Sequence, residues 1–284
     1  MGFDIIDLRG IKMPKNSDIR ISVVIPTYNR AHTIIKSIES VQNQSYPVDE
    51  IIIVDDSSTD DTKQAVQSIG DDRIRYFFLK QNRGAAGARN FGVSQAQGNL
   101  IAFLDSDDIW HNDKTEKQVK LKQENNFLRL IYTAYKRIYD SSEEIYPDPG
   151  GSIRLDGDML SQILFENTVG TPTVLMEKNL FDEIGGFDES LRSLEDWDMV
   201  IRAAQKTSFG FVPEVLVDAL FMNDGITADL NEYFRSRCRM MQKYRQIYLE
   251  TDMFNQVAGS ILAIAQKYNM LASVQDMLLK YISS

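Results

Sequence analysis

The sequence holds a single cysteine, Cys238, among 284 residues. One thiol cannot close an intramolecular disulfide, and it excludes a multi-cysteine zinc site. The expectation is a partly buried thiol on a helix, in a chain suited to a reducing compartment. There are only two histidines, His32 and His111, too few for a multi-histidine metal centre. No stretch approaches the roughly 20 apolar residues of a membrane-spanning helix. Residues 1–20 mix acids with apolar side chains and lack the apolar core of a secretory signal, so they read as a leader that adds little chemistry. A cytoplasmic location is expected, with peripheral contact at the inner membrane face left open. Basic residues are also scarce: 31 Lys and Arg face 41 Asp and Glu, giving a net charge of −10. Such a chain is a poor general binder of nucleic acid, which requires Lys and Arg to neutralise phosphates. The acidic balance suits a protein that gathers carboxylates around divalent cations.

What is present is a regular alternation. Ile21–Pro26 is short, β-branched and almost continuously apolar, as a strand covered on both faces must be. Ala31–Gln44 places Ile34, Ile35, Ile38 and Val41 on one helical stripe, and Pro47 stops it. The pattern then repeats: strand Ile51–Val54, helix Asp61–Ser68, strand Arg73–Leu79, helix Gly84–Gln97, strand Leu100–Leu104. This predicts an α/β fold with a mostly parallel open sheet and helices on both faces. Beyond it, Asp113–Gln123, Glu177–Ile184 and Leu194–Lys206 read as helices. Leu128–Tyr139, Thr173–Met176, Phe209–Phe211 and Val215–Phe221 read as strands. From Asp229 glycine becomes rare and helical periodicity dominates, which predicts two or three helices as a C-terminal α-helical appendage. The expected organisation is a leader over 1–20, one domain over 21–228 with halves meeting near residue 108, and a helical region over 229–284.

Open parallel sheets bind ligands at the carboxyl ends of their strands. Polar residues stand there: Thr27 and Tyr28, Asp55 and Asp56, Asp105 and Asp107. Asp105-Ser106-Asp107 is the strongest signal. Carboxylates two residues apart converge on one ligand when the backbone turns between them, and Mg²⁺ or Mn²⁺ needs one or two carboxylates plus substrate phosphates. A polar turn capping the next helix is the plainer explanation. An aspartate at a strand end, as at Asp55 and Asp56, can accept from ribose hydroxyls or a base N–H; helix capping is again the plainer role. In Arg83-Gly84-Ala85-Ala86-Gly87-Ala88-Arg89-Asn90, small residues permit close approach to a ligand, and Arg83 or Arg89 could pair with diphosphate oxygens. Its spacing and place do not match the dinucleotide fingerprint of a Rossmann dehydrogenase. In Glu195-Asp196-Trp197-Asp198, acids in a first helical turn suit the helix dipole; the functional alternative is a general base beside an aromatic platform for a sugar.

These pieces, with Ser22-Val23-Val24-Ile25-Pro26-Thr27-Tyr28-Asn29-Arg30 and Gly185-Gly186-Phe187-Asp188, together resemble the inverting family-2 nucleotide-sugar glycosyltransferases with the GT-A fold. The resemblance covers roughly Ile21 to Thr227, and the number, order and spacing of the motifs make it specific. It implies that Pro26, Thr27, Tyr28, Arg30 and Asp56 line a nucleobase and donor pocket, with Asp56 facing a uracil N–H. Asp55, Arg83, Gly84 and Ser106 fall on the same donor side, and Arg89 near the nucleotide or its phosphates. Asp105 would face the ribose and metal, Asp107 would ligate Mn²⁺ or Mg²⁺, and Asp196 would be the catalytic base. Gly185, Gly186, Phe187, Glu195 and Trp197 would shape the sugar and acceptor side. The implied reaction moves a hexose or N-acetylhexosamine from a UDP-sugar to a saccharide-bearing acceptor. Family members often carry a histidine after the last strands, near the metal or diphosphate. Here that stretch is Phe221-Met222-Asn223-Asp224-Gly225-Ile226-Thr227, with Asn223 or Asp224 in its place.

Two competing functions share these residues. A sugar-phosphate nucleotidyltransferase needs a basic glycine-rich loop after the first strand, where this chain has Pro26-Thr27-Tyr28-Asn29-Arg30. A catalytically silent nucleotide-sugar-binding subunit would not need the acids at 105, 107 and 196. In the tail, Arg235, Arg237, Arg239, Lys243 and Arg245 form a basic cluster interleaved with aromatic residues and methionines. It reads as a solvated helix face, or as a contact for anionic head groups or a phosphate-bearing acceptor. The apolar surface of Met253–Ile282 is expected to pack on the core or to form a homo-oligomer interface.

Overall fold

The computed structural model describes residues 19–220 and 229–283. Its centre is one sheet of nine strands: β1 (Ile21–Thr27), β2 (Glu50–Asp55), β3 (Ile74–Phe78), β4 (Leu100–Phe103), β5 (Ile109–Trp110), β6 (Leu130–Ile138), β7 (Glu143–Tyr146), β8 (Leu175–Glu177) and β9 (Phe209–Leu220). The spatial order is β3-β2-β1-β4-β8-β6-β9-β5, with β7 on β6. The first four strands are parallel neighbours, in the register Val23↔Ile51 and Val24↔Phe103. Helices α1 (Ile34–Gln42), α2 (Thr62–Gln67) and α3 (Gly84–Gln95) connect them.

The period-2 geometry of a strand sorts their side chains to two faces. Val23, Ile25, Ile51 and Ile53 pack with Ile34, Ile38 and Val41 of α1. Val24, Ile52 and Val54 pack with Ala86, Ala88 and Val93 of α3. The second contact is close because of Gly92, where a Cβ would stand 2.4 Å from Val24 Cγ1. Helices therefore cover both faces of the parallel half, and the α/β class expected from the alternation is the one observed.

The other half is mixed. β8 runs antiparallel to both β4 and β6, and β9 runs parallel to β6. The two strands expected over 209–221 are one strand. Its ladder passes from Thr133↔Val212 to Ala134↔Val215, skipping Pro213 and Glu214. A proline lacks the N–H that a ladder needs, and a bulge carries it past without ending the strand. Helices α4 (Lys114–Glu124), α5 (Leu160–Phe165), α6 (Lys178–Glu183) and α7 (Glu195–Ala204) complete this half. The short elements β5, β7 and α5 have too few residues to show a period in the sequence.

The tail forms four helices, not two or three: α8 (Leu230–Lys243), α9 (Arg245–Glu250), α10 (Phe254–Lys267) and α11 (Leu271–Ser283). Phe234, Cys238, Met241, Tyr248, Ile261 and Val274 join the same core cluster as Trp197 and Val200 of α7, so the appendage packs on the body. Most of its basic cluster is engaged there. Lys243 pairs with Asp188 and Asp198, Arg235 with Glu232, Arg239 donates to the Ser190 carbonyl, and Arg237 is buried. That leaves little of the cluster as a surface for anions. No helix among the described residues is long and apolar enough to cross a membrane.

Candidate active site

The ends of β1, β2 and β4 lie side by side, because the parallel register brings Thr27 beside Asp55 and Val24 beside Phe103. Not every acid there faces outward. Asp55 is fully buried; its Oδ1 accepts the Ser58 N–H at 2.7 Å and its Oδ2 accepts the Tyr76 hydroxyl. It braces the loop after β2 instead of presenting a carboxylate to a ligand. Asp56 accepts the backbone N–H groups of Arg83 at 2.7 Å and Gly84 at 2.8 Å, so it caps α3 from outside the helix. Burial pushes its pKa up against those two bonds. Each carboxylate oxygen can accept more than one bond, so capping leaves room for a further donor. Pro26 is buried, and the Thr27 hydroxyl is buried with no partner among the described residues. Tyr28 is 47% exposed and offers an aromatic face at the mouth.

The acids after β4 meet two arginines. Arg89 of α3 donates through Nη2 to Asp105 Oδ1 at 2.6 Å and through Nη1 to Glu195 Oε1 at 2.9 Å. Burial works against its charge, but Asp105, Glu195 and Asp196 outweigh that and raise its pKa. Arg30 Nε lies 3.3 Å from Asp107 Oδ2. Asp107 is pushed above the ordinary carboxylate range by burial and by the neighbouring Asp105. Asp108, buried beside both, is held well above that range by burial, and its Oδ1 accepts the Leu220 N–H at 3.0 Å. Ser106 is buried between them.

This cluster fits a divalent cation of a particular kind. Among the described residues no three His, Cys, Asp or Glu side chains assemble as a metal site. Asp105 and Asp107 are each paired through one oxygen and keep the other outside those ion pairs. Two neighbouring carboxylates suit Mg²⁺ or Mn²⁺, which take one or two protein carboxylates and fill the rest of their shell from water and phosphate. The stretch holding Asn223 and Asp224 lies outside the described residues.

The second wall comes from α6 and α7. Asn90, next to Arg89, brackets Phe187: its Oδ1 accepts the Phe187 N–H at 2.8 Å and its Nδ2 donates to the Phe187 carbonyl at 2.9 Å. Phe187 is buried beneath Arg89, 5.4 Å from the guanidinium carbon. Leu194 turns with φ 62°, and α7 starts at Glu195. Asp196 Oδ1 accepts the Trp197 N–H at 2.7 Å, and Oδ2 accepts from Asn167 Nδ2 at 3.2 Å. Burial and the adjacent Glu195 push the Asp196 carboxyl up to about 7. Arg89 thus bridges the acids of the two halves.

The family profile described as Glycosyl transferase family 2 matches residues 22–176, more than half of the chain. The chain belongs to glycosyl transferase family 2. An uncharacterized glycosyltransferase of Rickettsia felis is 41% identical over 200 residues, covering 70% of this chain and 32% of that protein. The Escherichia coli protein named UDP-Glc:alpha-D-GlcNAc-diphosphoundecaprenol beta-1,3-glucosyltransferase WfgD is 42% identical over 125 residues, covering 44% of this chain and 49% of WfgD. The chain thus spans about a third of the rickettsial relative and half of WfgD. The fold matches that of S. aureus TarS 1–349, solved in complex with UDP-GlcNAc. The TM-score is 0.65 at 20% identity, over 92% of this chain and 73% of that one. The family-2 transferase therefore has the GT-A architecture with C-terminal helices.

Two expected site residues are engaged elsewhere. The Trp197 indole is buried and donates from Nε1 to the Ile163 carbonyl at 2.5 Å, so it is a core ring and no sugar platform. Arg83 pairs with Glu189 at 2.9 Å at the surface, across from Gly84. Sequence reasoning did not single out Asn90, Asp108 or Asn167 for the site. Asp108 carried a signal, as the third acid of its turn, and Asn90 stood beside Arg89; Asn167 lies in an irregular stretch that carried none. Gly185 and Gly186 both have positive φ, yet differ in surroundings. A Cβ at Gly185 would meet nothing within 4 Å, whereas one at Gly186 would stand 2.6 Å from Asn90 Oδ1. Gly185→Ala is expected to cost about 1 kcal/mol from backbone strain alone. Gly186→Ala should cost about 2–3 kcal/mol, because it also displaces Asn90. Equal urea midpoints for the two variants would refute this difference.

Proposed function

We propose that this transferase moves a hexose or N-acetylhexosamine from a UDP-sugar to an acceptor hydroxyl, with inversion and with dependence on Mn²⁺ or Mg²⁺. The acceptor hydroxyl belongs to a glycan, a lipid-linked saccharide or a glycoprotein. The observation that carries the proposal is the Arg89 bridge. It ties Asp105, in the cation-suited turn after β4, to Glu195, whose neighbour Asp196 is pushed up to about 7 by burial and by Glu195. A uridine donor has support in the name of WfgD, which shares 42% identity over 125 residues.

The chemistry follows from these placements. Tyr28 offers a stacking face for the base, and Asp56 offers remaining lone pairs to a base N–H. Arg89 and Arg30 set a positive rim around Asp105 and Asp107, which would hold the cation. That ion, when bound, supplies Lewis-acid stabilisation of the leaving diphosphate. Asp196 accepts the acceptor's hydroxyl proton while that oxygen forms its bond to the anomeric carbon and the bond to the diphosphate breaks. A single displacement inverts the centre, and no enzyme nucleophile is required.

Nucleotide release from a panel of UDP-sugars, with Mn²⁺ or with EDTA, tests this reading. The expected result is metal-dependent UDP release with one sugar, reduced about 100-fold in Asp107→Ala. Equal rates in Mn²⁺ and EDTA would end the metal assignment. Absence of UDP binding by calorimetry would end the donor assignment.

A further inference from the structure

Arg237 of α8 is 2% exposed and is among the largest fully buried side chains of the described residues. Its guanidinium carbon lies 3.9 Å from the centre of the Trp197 ring. Its Nε and Nη1 have no hydrogen-bond partner among the described residues. Among the described residues, the titratable groups that act on it most are the Tyr248 and Tyr233 phenols and Cys238, none of them a carboxylate. A buried cation without a carboxylate weakens a fold, and an apolar side chain of similar length would fill the same volume at lower cost. Places where a chain departs from its own best packing mark function more often than accident.

What Arg237 touches leads to the active site. Trp197 meets the guanidinium on one side and α5 on another, where the Ile163 carbonyl accepts its indole N–H. The Trp197 backbone N–H in turn holds Asp196 Oδ1, and Asn167, just after α5, holds Oδ2. The next residue of α7 is gripped by the C-terminal end of α8 and the residue after it, since the Tyr244 hydroxyl donates to Asp198 Oδ1 at 2.6 Å and Lys243 Nζ lies 2.7 Å from the same oxygen. We propose that Arg237 is a positioning residue for the catalytic base: its cation, stacked on Trp197, fixes the first turn of α7 and so aims Asp196. This rests on the reading of Asp196 as the base. A desolvated cation over an indole is a strong and directional contact, which an aliphatic side chain does not supply. The C-terminal helices, beyond the residues matched by the family profile, thereby become part of the catalytic apparatus.

The test compares the full chain with Arg237→Met, Arg237→Lys and Asp196→Asn, on turnover, UDP affinity and melting temperature. In Arg237→Met, kcat should fall on the order of 10- to 100-fold, the cost of a small misplacement at the reacting centre. Donor KM and UDP affinity should hold, and the melting temperature should stay level or rise. Arg237→Lys, which keeps a cation without the planar guanidinium, should recover part of kcat. Unchanged kcat in Arg237→Met, or kcat and melting temperature falling together, would overturn the proposal. A parent without turnover, or an active Asp196→Asn, would instead defeat the assigned reaction. A readout independent of turnover is the emission of Trp197 in a Trp110→Phe background, these being the only two tryptophans. Loss of the charge should shift that emission, and an unshifted spectrum in Arg237→Met would overturn the proposal by itself.

Discussion

Asp196→Asn is expected to lower sugar transfer about 1000-fold while leaving the chain folded, within the range of 10²–10⁴ that a positioned proton acceptor contributes. The amide keeps an oxygen for the Trp197 N–H, which Asp196 holds at 2.7 Å, and gives up only the bond that Oδ2 accepts from Asn167 Nδ2 at 3.2 Å, a loss the fold should tolerate. What disappears is the ability to take a proton. The parent's kcat/KM should therefore fall as pH drops through about 7, where burial and Glu195 place the Asp196 carboxyl. In the variant that limb should vanish. Stability has the opposite dependence. The folded protein holds this proton to higher pH than the unfolded chain, so the stability it confers is full below the ordinary carboxylate pKa and is lost as pH rises through about 7. Asparagine carries no such loss. Its advantage in melting temperature should grow between about pH 4 and pH 7 and stay constant above. A variant within tenfold of the parent rate would remove Asp196 from the role of base.

How much of this was legible beforehand differs between the halves. The parallel half was readable nearly to its ends, because strands such as Val23-Val24-Ile25 and Ile51-Ile52-Ile53 must be apolar on both faces and announce themselves as unbroken runs. The resemblance of the motifs then assigned family and fold. The mixed half was harder. β9 looked like two strands because Pro213 interrupts its pattern, and only the neighbouring β6 shows that the ladder resumes at Val215. Directions of side chains were illegible where two roles suit one residue type. Asp55 and Asp56 are adjacent and identical, yet one is sealed behind Tyr76 while the other caps α3. Trp197 resembled a sugar platform until its indole was found against Ile163 and Arg237. The basic tail looked like a surface feature because the acids that engage it, Asp188 and Asp198, come from another part of the chain.

Arg89→Met should damage stability and catalysis together, in contrast to Asp196→Asn. Arg89 is 5% exposed and its two terminal nitrogens serve separate carboxylates, Asp105 at 2.6 Å and Glu195 at 2.9 Å. Removing one partner from a buried ion pair usually costs about 3–5 kcal/mol, since the other charge is stranded. Here the lower end, about 3 kcal/mol, is expected, because Asp105 remains a third exposed and water can solvate it, while Glu195 at 15% exposure cannot be relieved so easily. For a chain of this size that corresponds to a drop of about 6–12 °C in melting temperature. Turnover should fall on the order of 10²–10³-fold even at temperatures where the variant is folded, since the tie between the cation-suited turn and the base is gone. Arg89→Lys should not rescue it, because a single ammonium cannot reach two carboxylates with the fixed fork of a guanidinium. If Arg89→Met melted lower but kept its turnover, the bridge would be a structural brace, and the alignment of the two halves would have to come from Asn90 and its hold on Phe187.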